Sequence, residues 1–143
     1  MTERFENMQR MMIKRQRKLA DSLRAQQLYR DIDIEEEWIK VKETIIMGRG
    51  RDIDSVKAMV RETQSILMEM HDHDPYVQKV ITAGYKLADS GNYLPDYPPW
   101  ITEAAIRERT KALADHWDDL KQKAFQRKQS NQLVLLFLFN IKD

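Results

Sequence analysis

The chain contains no cysteine. Disulfide frameworks, thiolate metal sites and cysteine nucleophiles are therefore excluded, and a reducing compartment is permitted. Charge of one sign is also missing. Against 24 Lys+Arg stand 23 Asp+Glu, a formal net charge of +1 in 143 residues, so the basic excess that draws a protein onto nucleic acid is absent. Long apolar runs are lacking too. The longest is Leu133–Phe139, seven residues, where a membrane-spanning helix needs about 20. The N-terminus has no apolar stretch of the signal-peptide kind. Together these features predict a soluble, intracellular chain with no transmembrane segment. Its hydrophobic content of 42% is enough to build a core.

Glycine and proline are scarce, four of each, and unevenly placed. None occurs before Gly48. Gly48 and Gly50 stand together, Pro75 and Gly84 are isolated, and Gly91, Pro95, Pro98 and Pro99 cluster; none follows Pro99. Breakers at these positions leave three long segments, about 2–47, 52–90 and 102–140, which predict an all-α fold. No strand pattern with turn signals competes over such lengths.

Periodicity supports the same division. Ile106, Thr110, Leu113, Trp117, Leu120, Ala124 and Arg127 step by four and three. Val56, Val60, Thr63, Leu67, Met70, Asp74, Val77, Ile81, Gly84 and Ala88 do the same, with Thr63 and Asp74 as polar intrusions. In the first segment the stripe is Ile34, Trp38, Val41 and Ile45. A mean step of 3.5 keeps each stripe on a partner helix in a left-handed supercoil. The expected architecture is a left-handed antiparallel three-helix coiled-coil bundle. Trp38, Leu113, Trp117 and Leu120 are its expected core anchors, since large rings and Leu side chains bury the most apolar area. Asp52 and Thr102 are candidate N-caps. Pro75 should kink the second helix.

A repeat is visible. Phe5, Met8, Met12, Arg15 and Leu19 carry the spacing of Trp117, Leu120, Ala124, Arg127 and Asn131, 112 residues earlier in the chain. Arg15-Gln16-Arg17-Lys18 is echoed by Arg127-Lys128-Gln129-Ser130. Residues 1–21 therefore read as part of the third helix of an earlier unit, running unbroken into the first helix of a full unit, 22–131. Such a helix of 45 residues would be about 68 Å long. Residues 132–143 form an apolar C-terminal tail.

These residues resemble spectrin repeats, most closely those of alpha-type chains. The resemblance rests on Arg30-Asp31-Ile32-Asp33 and Glu36-Glu37-Trp38-Ile39-Lys40 with Lys42-Glu43 in the first helix. In the second it rests on Asp52, Val56, Gln64, His73, Pro75, Val77, Gly84 and Gly91. Ile106, Leu113, Trp117, Leu120, Ala124 and Arg127 carry it in the third, and Leu19-Ala20-Asp21-Ser22-Leu23 at the junction. It covers about Phe5 to Gln129. Three departures stand out. The 94–101 loop is longer than usual, Thr110 replaces a common leucine, and Leu133–Phe139 replaces a polar junction. The resemblance implies a non-enzymatic structural role, as a spacer in an actin-linked membrane skeleton in the cytoplasm, at the cell cortex, with other spectrin-type chains as partners and actin reached indirectly. It also implies that a lone third helix, here with Phe5, Met8 and Met12, pairs with two helices of a beta-type chain. The alternative is that the first helix is a remnant of a longer rod.

Other candidate sites are weaker. Pro95-Asp96-Tyr97-Pro98 has the PxxP form that docks on aromatic grooves, which would make Pro95, Tyr97 and Pro98 a partner-binding set in a helical adaptor. Tyr93, Tyr97 and Trp100 could instead fold back over the bundle end. His71-Asp72-His73-Asp74 offers only His71 and Asp74 on one face, too few ligands for a tight metal site. Lys14-Arg15-Gln16-Arg17-Lys18 could touch anionic lipid or an acidic protein, or simply be solvated. Gly48-Arg49-Gly50-Arg51 lacks the context of a phosphate loop. No catalytic constellation, cofactor site or metal site is expected. The apolar tail is a candidate for self-association, against a neighbour or against Phe5, Met8 and Met12 of another copy.

Overall fold

A computed structural model describes residues 2–47, 53–90, 93 and 97–142, with the side chains of 53–56 and 138–142 outside the description. Three helices account for nearly all of it: α1 (Thr2–Ile46, 45 residues), α2 (Ile53–Ser90, 38 residues) and α3 (Glu103–Lys142, 40 residues). Among the described residues there is no strand. The Gly48–Gly50 loop and the Asp52 cap position lie outside the described residues. Thr102 does cap α3: its Oγ1 accepts the amide of Ala105 at 3.1 Å, satisfying one of the orphan donors of a helix start. α2 runs through Pro75 without a break.

Side-chain pairs give the directions. Glu35 meets His73 and Lys42 meets Glu69, so α1 and α2 are antiparallel. Asp33 meets Arg109, Glu36 meets His116, and Glu43 meets Lys123, so α1 and α3 run the same way. Trp117 meets Asp74 and Asn131 meets Thr63, so α2 and α3 are antiparallel. The result is a three-helix bundle in which the α2–α3 interface is the largest and the α1–α2 interface the smallest.

The core is one seam running along the bundle. From α3 it takes Ile106, Leu113, Trp117, Leu120 and Ala124; from α2, Ile66, Met70, Val77 and Ala88; from α1, Leu28, Ile32, Ile39 and Ile46. Each fully buried Ile, Leu or Val contributes about 1.5–3 kcal/mol of transfer free energy. The α3 stripe is buried where the sequence pattern places it, with Arg127 half-buried. The α1 stripe is not. Ile34 and Val41 are exposed, Trp38 and Ile45 are half-buried, and the seam passes instead through Ala25, Leu28, Ile32, Glu35, Ile39 and Ile46. This is the expected 3-4 stepping shifted by one residue, a rotation of about 100°. The shift is hidden in sequence because it sets a carboxylate, Glu35, at a core position that only a partner on α2 makes tolerable.

Two close fits fix the register of α2 against α3. Gly84 faces Thr110 so tightly that a Cβ at position 84 would lie 2.2 Å from Thr110 Oγ1 and 2.7 Å from its Cγ2. The same Thr110 hydroxyl, held against Gly84, donates to the Ile106 carbonyl at 2.7 Å. Thr110, where the resemblance has a common leucine, is the residue that fills the space left by the missing Cβ of Gly84. Further along, Thr63 and Asn131 are both buried, and Asn131 Nδ2 donates to Thr63 Oγ1 at 3.1 Å. The polar intrusion at Thr63 is a satisfied pair, of the kind that specifies register in coiled coils.

Candidate functional site

Among the described residues three features carry the chemistry of contact. The first is the leading part of α1. Residues 2–17 are exposed along their whole length, with Phe5 and Met8 at 63% and Met12 at 58%. Within a single chain α1 therefore starts about 20 residues before its partners do, a helical overhang of roughly 30 Å. The Phe5–Met8–Met12 stripe has the 3-4 spacing of a seam and no helix packed on it among the described residues. Residues 2–18 hold six Lys/Arg against two Asp/Glu, so the stripe lies on a basic helix. The basic cluster 14–18 belongs to this overhang.

The second feature is formed by the described residues between α2 and α3, Tyr93 and 97–102, which pack against α1. Tyr97 is only 8% exposed and packs with Ala25 and Ile101, flanked by Tyr29, Leu87 and Tyr93. Its hydroxyl donates to Asp21 Oδ2 at 2.7 Å. The Tyr29 hydroxyl donates to the Trp100 carbonyl at 2.6 Å, and the two rings meet edge to face at 6.1 Å. Tyr93 donates to the carbonyls of Leu87 and Ala88 near the end of α2, where a helix leaves acceptors unpaired. Burial raises the pKa of both Tyr29 and Tyr93; Arg109, whose guanidinium lies over the Tyr29 ring, partly opposes it at Tyr29. Pro98 is half-buried, and its carbonyl accepts the Ile101 amide at 2.9 Å. Pro95 lies outside the described residues. The space left among Asp21, Ala25, Tyr93, Tyr97, Ile101 and their neighbours is about 10 Å³, the lower limit for a single water.

The third feature is a column of rings at mid-bundle. His73 lies flat on Trp38, centroids 4.0 Å apart and planes within 7°, and the Tyr76 ring is tilted against His73 at 5.5 Å. Trp117, 1% exposed, closes the inner edge. Lys42 sits over Trp38 and Lys121 over Trp117. His73 Nε2 is 2.5 Å from the buried carboxylate of Glu35. Trp117 Nε1 donates to Asp74 at 2.9 Å, and this bond, aided by Gln78, Lys121 and His71 against partial desolvation, holds the Asp74 pKa below its ordinary value. Of the sequence-derived anchors, Leu113, Trp117 and Leu120 are fully buried and Trp38 is half-buried. His71 is exposed, and no group of three His, Cys, Asp or Glu side chains converges as a metal site among the described residues. The Glu35–His73 contact and the Asp74–Trp117 bond escape sequence reading. Their only signal is a polar letter on an apolar stripe.

The apolar tail continues α3. Leu133, Leu136 and Phe137 are 60–68% exposed, and Leu135 less so at 36%. From 124 to 137 the helix carries Arg127 and Lys128 and no acidic residue. No helix among the described residues is long and apolar enough to cross a membrane.

Comparison with known proteins agrees with this architecture. The family model for the spectrin repeat matches residues 23–130. The chain is 30% identical over 124 residues to the erythrocytic spectrin alpha chain 1 of Mus musculus, covering 85% of this chain and 5% of that protein. It is 30% identical over 122 residues to the spectrin beta chain of Drosophila melanogaster, covering 84% of this chain and 5% of that protein. The chain thus spans about one twentieth of the length of the curated relatives it matches, and an alpha and a beta chain match it equally well.

Proposed function

The chain belongs to the spectrin repeat family, and on that premise we propose that it is a spacer module of an actin-linked membrane skeleton at the cell cortex. It works by helix packing, with no bond chemistry. The observation that carries this reading is α1: one helix of 45 residues leads from an exposed overhang into the bundle. A helix shared between the overhang and the repeat transmits force and orientation along a rod, because bending it requires breaking backbone bonds or shearing the packed seam.

The overhang adds an end-to-end joint to this reading. Phe5, Met8 and Met12 form a seam with no helix packed on it among the described residues, and a beta-type spectrin chain supplying two helices would complete the three-helix cross-section. The adaptor reading through Pro95, Tyr97 and Pro98 is less favoured, since Tyr97 would have to leave its packing against Ala25 and its bond to Asp21.

Detergent extraction of cells expressing the chain tests both levels. The expected result is recovery in the cortical skeleton pellet, with loss to the supernatant for the Phe5→Ala/Met8→Ala/Met12→Ala variant. Retention of that variant in the pellet removes the joint and keeps the spacer. A wild-type chain found wholly in the supernatant overturns the proposal.

A further inference from the structure

We propose that the segment 97–101 is a strap that locks the leading helix to the repeat, so that the stiffness of the junction is set by the contact of Tyr97 with Asp21. The described residues between α2 and α3 touch all three helices. Tyr93 bonds the Leu87 and Ala88 carbonyls at the end of α2. Thr102 and the Pro98–Ile101 turn fix the strap to α3. On α1 it grips two successive turns: Tyr97 bonds Asp21 and packs on Ala25, and the Trp100 carbonyl accepts from Tyr29.

The position of this grip gives it a mechanical consequence. Residues 2–17 of α1 are exposed, and the first fully buried residue of the helix is Ala25. Bending of the overhang concentrates where lateral support begins, and that is the stretch from Asp21 to Tyr29 that the strap covers. An isolated helix of about 20 residues is marginal in water and persists when propagated from a formed nucleus. The strap enlarges that nucleus by two turns. Releasing Tyr97 is therefore expected to loosen residues 8–20, which it does not cover, while the seam from Ile32 to Ile46 keeps its packing. A load, or a partner that pulls the loop away, would convert a stiff junction into a hinge. The cortical role above gives this device its use, but its test does not depend on that role.

Hydrogen exchange on the full chain decides the matter. Tyr97→Phe removes the hydroxyl and keeps the ring; Tyr97→Ala removes both. Amides 8–20 are expected to exchange about five- to ten-fold faster in Tyr97→Phe, the size of one lost hydrogen bond, and faster still in Tyr97→Ala, with amides 31–46 and 106–124 unchanged. Asp21→Asn, which keeps an acceptor, should stay near wild type. Because the chain has no cysteine, spin labels at Met11→Cys and Asp118→Cys report the junction angle as a distance distribution. It should be narrow in wild type and broad in Tyr97→Ala. Unchanged exchange at 8–20 in Tyr97→Phe, together with an unchanged distribution in Tyr97→Ala, overturns the proposal. So does faster exchange spread evenly over all three helices in Tyr97→Phe, since the loop would then stabilise the whole bundle and not the junction. None of these outcomes affects recovery in the cortical pellet.

Discussion

Glu35 and His73 meet inside the narrowest interface of the bundle, the carboxylate of one 2.5 Å from the ring nitrogen of the other. Glu35 is 8% exposed and occupies a seam position otherwise filled by Leu28, Ile32 and Ile39. The pair is what allows α1 to present this face to α2. His73 is held for the task by Trp38, stacked flat against it.

Removing one member should therefore cost more than removing both. His73→Ala strands a buried carboxylate and is expected to destabilise by about 2–3 kcal/mol. Glu35→Leu with His73→Leu extends the apolar seam and should recover most of that loss. Urea unfolding of the single and double variants gives the coupling. Equal losses in all of them would show that the contact does not join the helices.

Gly84 against Thr110 predicts the opposite of helix propensity. Alanine is ordinarily better than glycine in a helix by about 1 kcal/mol. Here its Cβ would overlap Thr110 Oγ1, and the repacking it forces should cost about 1–3 kcal/mol net. Thr110→Ala removes the two nearest atoms but leaves its own Cβ 3.0 Å away, so the double variant should regain part of the loss. Thermal melts of the four chains measure this, and a Gly84→Ala chain that melts higher than wild type refutes it.

Asp74 predicts an acid-side loss of stability. Its pKa is lowered in the folded chain, chiefly by the Trp117 N–H bond, while unfolding restores the ordinary value near 4. Its contribution is then complete above about pH 4, where both states are ionised, and is lost as pH falls through the lower folded value. Asp74→Asn should be less stable than wild type at pH 7 and should lose less on going to pH 2.5. Urea midpoints across that range check the prediction; parallel acid limbs would contradict it.

Much of the fold is legible in the residues in order, and each success has a local cause. Breakers at Gly48, Gly50, Gly91 and Pro95–Pro99 bound the helices, and the α3 stripe from Ile106 to Ala124 is apolar enough to declare its own face. The family resemblance is legible too, because Trp38, Trp117, His73 and Gly84 keep a spacing that three packed helices impose. The α1 face is misread by one residue because Ile34, Trp38, Val41 and Ile45 form a more apolar row than the buried one.

The order of residues alone determined three helices, their limits, a seam on α3 and an unbroken α1, since period, caps and breakers act within a few turns. Only the tertiary structure decided which face of α1 turns inward, which carboxylates are sheltered and whether the Tyr97 loop folds down or stands out. Those outcomes depend on partners 38 to 76 residues away, Glu35 with His73 and Asp21 with Tyr97. A buried polar group is tolerated only when its partner arrives in space, and no local pattern announces that arrival.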